Sequence, residues 1–178
     1  VYLALGNLLP ERPTLLVSGI NRGQNLGHDI HFSGTVAAAI TGTFMRIPSI
    51  AISIAAYIHS VCHYETAAGM AVRIARATLK YGIPEGVLLN VNVPNLPLSE
   101  IKGIEITKQD KAAYDSKITE GVDPRGREYY WIGGIRQNCD DRGGTDLNAI
   151  WNDTVSITPL HLDFTDYGMI KELSGWKL

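Results

Sequence analysis

The chain is predicted to fold as a three-layer, doubly wound α/β protein with a mainly parallel sheet and a projecting β-hairpin arm. Two patterns predict the core and one predicts the arm. Short apolar runs of strand length alternate with helical patterns between residues 14 and 93. The longest helical pattern carries one apolar stripe, as a helix laid on a sheet does. Beyond residue 100 the pattern changes to alternating and aromatic strands separated by turn residues.

Composition supports one such domain over 1–178. The 178 residues include 16 Lys+Arg and 18 Asp+Glu, a formal charge of −2, with 45% hydrophobic and 19% charged residues. These values exclude a disordered or collagen-like chain. A chain of this size buries about 70% of its unfolded surface, enough for one substantial core. Basic residues never cluster, so the electrostatic footprint of a nucleic-acid polymer binder is missing. Cys62 and Cys139 form no CxxC and point to a reducing, cytoplasmic setting. The longest apolar stretch, Ile47–Ile58, is broken by Pro48 and two serines and is too short to span a bilayer. No signal-peptide pattern is visible. The chain opens Val1-Tyr2-Leu3-Ala4-Leu5 with no initiator Met, as though inside a helix.

In order, Val1–Leu9 reads as a helix end stopped by Pro10. Thr14–Val17, ending at Ser18-Gly19, reads as a strand buried on both faces. Ser33 offers an N-cap to a helix through Thr35–Ile40 that ends at Gly42. Ser49–Ser53 is a second buried strand. Tyr64–Lys80 is the clearest helix, with the stripe Ala67, Met70, Ala71, Ile74, Thr78, Tyr81 opposite Arg73, Arg76 and Lys80. Gly82 sits at its C′ position and Pro84 follows. Val87–Val93 is the third strand. Strand, helix, strand, helix, strand implies right-handed βαβ units, with ligands beyond the carboxyl ends of the strands. Ile104–Thr107, Tyr129–Ile132 and Thr154–Thr158 supply later strands, and Asp123-Pro124-Arg125-Gly126 and Gly143-Gly144 are turn signals. Residues 108–138 are expected to form the hairpin arm, and Asp166–Leu173 a short terminal helix.

Ser18–Thr35 is the most informative stretch. It joins strand to helix with about 14 residues, where such loops usually take 2–6. Its glycines allow tight turns and close approach to a ligand. Asn21 offers a neutral oxygen suited to Mg²⁺ or Mn²⁺. At Ser33-Gly34-Thr35, free helix N–H groups meet two hydroxyls, an arrangement that favours phosphate. An ordinary Ser N-cap gives the same three residues. The glycine spacing is neither GxGxxG nor a P-loop, which disfavours a nicotinamide dehydrogenase or P-loop NTPase.

His28/His31 and His59/His63 lack the spacing of a structural zinc site. His28 or His31 could serve as a general acid, or simply be a surface-loop histidine. Asn90 and Asn92 share one face of an apolar strand and must be hydrogen-bonded there, either beneath the site loop or in a purely structural network. Asp140, Asp141 and Asp146 flank Arg142-Gly143-Gly144 and read as a solvated turn.

Taken together, Ser18-Gly19-Ile20-Asn21-Arg22-Gly23-Gln24-Asn25-Leu26-Gly27 and Ser33-Gly34-Thr35-Val36 closely resemble the signature of the SurE family of survival-protein 5′-nucleotidases. Collinear matches continue through Ile47–Ser53, Leu89–Pro94, Asp123–Gly126, Tyr130–Gly133, Gly144-Thr145-Asp146 and Val155–Leu160. The resemblance implies a Rossmann-like core, a projecting hairpin, and a C-terminal segment, here 160–178, used in homodimer or homotetramer assembly. It also implies divalent-metal-dependent hydrolysis of nucleoside monophosphates, with some members acting on polyphosphate. Asn21 matches the family's metal-binding Asn, while Asn25, Ser33, Gly34 and Thr35 would hold the phosphoryl group. The family's Asn-Asp-Asp-Gly motif does not occur here, and Asp140-Asp141 lies in a different context. The chain is therefore expected to be an N-terminally incomplete member that holds metal poorly and hydrolyses little. Two alternatives are a non-catalytic phosphate or nucleotide binder and a subunit that builds an oligomer.

Overall fold

The computed structural model describes residues 1–56, 60–111, 117–133 and 143–177. Five strands form the main sheet: β1 (Leu16–Arg22), β2 (Ser49–Ala55), β3 (Val87–Pro94), β4 (Gly103–Ile106) and β7 (Thr154–His161), in the order β1-β2-β3-β7-β4. The first three are mutually parallel, β7 runs antiparallel to β3, and β4 pairs parallel with β7. The sheet is thus mainly parallel, as the βαβ pattern predicts.

Period-two alternation in β2 divides its work between the two faces. Ile50, Ile52 and Ile54 are fully buried against Ala67, Met70 and Ile74 of helix α2 (Tyr64–Tyr81). Ala51 turns the other way, where Val36 and Ala39 of helix α1 (Gly34–Phe44) join it with Leu88. Helices therefore cover both faces, the three-layer α/β arrangement. Ser33 caps α1 as expected, its Oγ accepting from Val36 N at 3.1 Å. Gly82 closes α2 with φ +77° and donates its N–H to the Thr78 carbonyl at 2.8 Å.

Four sequence readings need correction. β1 runs through Gly19 to Arg22 instead of ending at Ser18, and it lies at the edge of the described sheet. Its outer positions are accordingly open, with Val17 43% exposed, so it is not buried on both faces. Its register shifts between Ser18 and Asn21, so three β1 steps oppose two of β2. α1 continues past Gly42, where helix and sheet approach so closely that a Cβ would lie 2.4 Å from Ser49 Oγ. Finally, Tyr81 is exposed and packs under the Lys80 ammonium instead of joining the core stripe.

Within the span 108–138, β5 (Lys117–Val122) and β6 (Glu128–Gly133) form an antiparallel hairpin. Its turn is closed by Asp123, whose Oδ1 accepts from the Arg125 and Arg127 amides. Lys108 instead bridges Thr145, at the start of helix α3 (Asp146–Trp151). Asp166 caps the short helix α4 (Tyr167–Leu173). No helix among the described residues is long and apolar enough to cross a membrane.

Candidate functional site

The site loop leaves β1 beyond the carboxyl ends of the parallel strands, where the fold rule places ligands. Gly19 allows the approach: a Cβ there would sit 2.2 Å from the Ile52 carbonyl oxygen, and its φ is +123°. The bulge that follows pairs Asn21 with Ser53. Asn21 Nδ2 then donates to the Gly23 carbonyl at 2.8 Å, which fixes the amide and orients its oxygen.

Asn25 is buried, and the sheet grips its backbone from below. Asn92 Oδ1 accepts from the Asn25 N–H at 2.8 Å, while Asn92 Nδ2 and Asn90 Nδ2 donate to its carbonyl at 3.0 and 2.9 Å. Asn90 and Asn92 therefore support the site loop, the first of the two roles open to them from sequence. The Asn25 side chain donates through Nδ2 to Ser53 Oγ at 2.6 Å. Val91 and Val93 face α2, so strand alternation sends both asparagines to the loop side.

A second grip comes from the far end of the chain. Gly27 N donates to Asp146 Oδ2 at 2.8 Å, and the Gly27 carbonyl accepts from Gln109 Nε2 at 2.9 Å. Asp146 Oδ1 accepts from Asp110 N and Leu147 N at 2.9 and 2.8 Å. Asp146 is completely buried, which corrects the reading of this residue as part of a solvated turn. Burial pushes its carboxyl above the ordinary range against the pull of these three amides, and the Asp110 charge adds to the rise. Sequence reasoning missed this residue and Gln109. Two signals were available for Asp146: the match of Gly144-Thr145-Asp146 to the family pattern, and the hydroxyl of Thr145 just before it, whose Oγ1 accepts from Asn148 N.

From Gly27 a 3₁₀ turn through Phe32 leads into α1. Ser33 Oγ serves Val36 N, and Ala37 N bonds the Ser33 carbonyl. The amides of Gly34 and Thr35 are the first-turn donors beyond this cap. His28 and His31 are exposed on the 3₁₀ turn, with His31 Nε2 3.3 Å from Gln109 Nε2. His63 occupies the N-cap position of α2 without a side-chain capping bond, whereas His59, Asp140 and Asp141 lie outside the described residues. A cavity of about 610 Å³ begins beside Ser33 and is bordered by His31, Lys108, Gln109 and Phe164. No Asp or Glu is among its described lining residues.

Among the described residues, no group of three or more His, Cys, Asp or Glu side chains converges as a metal site. Mg²⁺ and Mn²⁺ are normally held by carboxylates, and Asn21 supplies only a neutral oxygen. These donors therefore do not make up a divalent-cation site by themselves.

Fold and loop together define a doubly wound α/β protein whose Gly- and Asn-rich loop leads from a parallel strand end into a helix start. Comparison with known proteins gives that class a family: the model for "Survival protein SurE" matches residues 1–116. The chain is 49% identical over 176 residues to 5′-nucleotidase SurE of Pelobacter propionicus, covering 99% of this chain and 71% of that protein. Against 5′-nucleotidase SurE of Geobacter sulfurreducens it is 48% identical over 178 residues, covering 100% and 68%. The crystal structure of SurE protein from Aquifex aeolicus superposes with a TM-score of 0.81 at 42% identity, covering 97% of this chain and 69% of that one. The chain belongs to the SurE family, and the Rossmann-like fold expected from the resemblance is the one it has.

Proposed function

We propose that these residues form the phosphate-holding part of a phosphomonoesterase that converts nucleoside 5′-monophosphates to nucleoside and phosphate. The observation that carries the proposal is the α1 start. Ser33 caps the Val36 amide, and the Gly34 and Thr35 N–H groups point out of a positive helix end. The neighbouring cavity shares Ser33 with this turn and has a largely apolar lining with His31, Lys108 and Gln109 among its polar points, the mix expected of a small-molecule pocket. The names of the two bacterial relatives give the substrate class. In this reading Gly34 and Thr35 donate to the phosphoryl oxygens, Ser33 keeps their helix turn in shape, and Asn25 acts through the loop it anchors, because its own amide donor is committed to Ser53.

Asn21 is the candidate ligand for Mg²⁺ or Mn²⁺, with its amide already oriented by Gly23. When bound, such a cation would neutralise developing charge on the phosphoryl group. With Asn21 as the only candidate ligand among the described residues, these residues are expected to bind the cation weakly and to turn over little. That shortfall favours, as a second reading, nucleotide binding without turnover. The hairpin and residues 160–178 are proposed to build a homodimer or homotetramer, which the exposed Tyr130, Trp131, Ile170 and Trp176 support. A monomer by light scattering at micromolar concentration would count against that.

Gly34→Pro tests the cradle cleanly. Proline is tolerated at the first helical position, nothing lies within 4 Å of an added Cβ, and Ser33 already has the extended φ −81°, ψ 120° that a following proline requires. The substitution removes one donor to a charged ligand, so phosphate and AMP affinity should fall roughly tenfold or more with the fold intact. Unchanged affinity would refute the cradle. AMP turnover with Mn²⁺ that survives Asn21→Ala would refute the role of Asn21.

A further inference from the structure

We infer that Asp146 is a positioning residue, which holds the site loop in the shape that binds phosphate by tying it to the segment after β4 and to the start of α3. The inference rests on the proposed phosphate cradle for its functional meaning and on geometry for its structural content. Asp146 and Gln109 hold both polar groups of Gly27, the N–H at 2.8 Å and the carbonyl at 2.9 Å. The two chain segments that flank the hairpin are themselves bonded together. Lys108 N donates to the Gly144 carbonyl, and Asp146 N to the Lys108 carbonyl, both at 2.9 Å. Asp110 N closes the knot on Asp146 Oδ1.

One carboxylate thus gathers amides from the site loop, from the segment after β4 and from the start of α3. Gly27 lies between Asn25, clamped from the sheet side, and the turn that delivers Ser33 to α1. With Asn90 and Asn92 below and Asp146 and Gln109 to the side, the loop is held at two points. Releasing the second point frees the turn to Ser33 while leaving the sheet intact.

Amide hydrogen exchange tests this directly. Asp146→Asn replaces one acceptor oxygen with an NH₂ that cannot accept. The remaining oxygen satisfies more amides by staying on Asp110 N and Leu147 N, so the NH₂ faces Gly27 and the Gly27 N–H loses its partner. Losing a hydrogen bond to a carboxylate should speed exchange in residues 23–32 roughly tenfold or more, with core amides of β2 and β3 unchanged. Binding of inorganic phosphate should weaken in parallel. Faster exchange throughout the sheet, or exchange in residues 23–32 within about threefold of wild type, would overturn the inference. If Asp146→Asn fails to fold, Gln109→Ala releases the half-buried side of the same clamp and should give a smaller, equally local effect. No local effect would overturn the inference. If the wild-type chain does not bind phosphate, the cradle reading fails, and the exchange result still decides the positioning role.

Discussion

Asn92→Ala should cost far more than Asn90→Ala, although both remove a fully buried asparagine from the same strand face. Asn92 makes two bonds to the Asn25 backbone, accepting from its N–H at 2.8 Å and donating to its carbonyl at 3.0 Å. Truncation loses about 1 kcal/mol for the bond to the carbonyl, which keeps its Asn90 partner, and about 1–3 kcal/mol for the Asn25 N–H left buried and unpaired, a total of about 2–4 kcal/mol. Asn90 makes one such bond, and the Asn25 carbonyl keeps its Asn92 partner when Asn90 is lost. Asn90 Oδ1 has no hydrogen-bond partner among the described residues, so its removal also relieves a buried polar atom. Asn90→Ala should therefore cost about 1 kcal/mol from hydrogen bonding. Both truncations open a similar void, so the difference between them isolates the clamp. Urea unfolding followed by circular dichroism and fluorescence together would measure it. A difference near 2 kcal/mol corresponds to roughly 4–8 °C in Tm for a chain of this size. Equal losses, or a larger loss for Asn90→Ala, would refute the reasoning that Asn92 carries the loop.

Two further outcomes follow from local geometry. Gly19→Ala should destabilise by about 3 kcal/mol or more, because it combines a disfavoured positive φ with a Cβ driven into the Ile52 carbonyl. Thermal unfolding of the purified variant checks this, and a change below about 1 kcal/mol would sink it. The Asp163 carboxyl is held down from 3.8 to about 2 by hydrogen bonds from Thr165 and the Tyr167 hydroxyl. Because the folded form holds its proton less tightly, its contribution is present above pH 3.8 and is lost as pH falls through about 2. Carboxyl carbon NMR should place its midpoint there; a midpoint near 4 would contradict the contacts.

The central elements were legible because local pattern and tertiary burial agree. β2 and β3 are apolar runs bounded by turn residues, and α2 carries one stripe. The asparagine pair was legible as well, since amides in an apolar strand require partners close by. Asp146 was not legible from composition. Its burial depends on an amide 119 residues away, and a carboxylate beside two glycines reads as a turn until the chain closes on it. The end of β1 was hidden for a related reason. Gly19 looks like a strand stop, and only its contact with Ile52 reveals the strand continuing around a bulge.

Inserting β7 between β3 and β4 also bears on how a ribosome makes this protein. β4 has β7 as its sheet partner, and Thr107 reaches Ser156 and Thr158 across 49 and 51 residues. At roughly 5–20 residues per second, β4 waits about 3–10 s after synthesis for that partner. The parallel strands β1 to β3 can assemble first, while β4 and the hairpin segment stay outside the sheet. During those seconds Ile104 and Ile106 lie on an unpaired strand, open to edge-to-edge pairing with another nascent chain. Aggregation during synthesis should therefore be most sensitive to changes in β4.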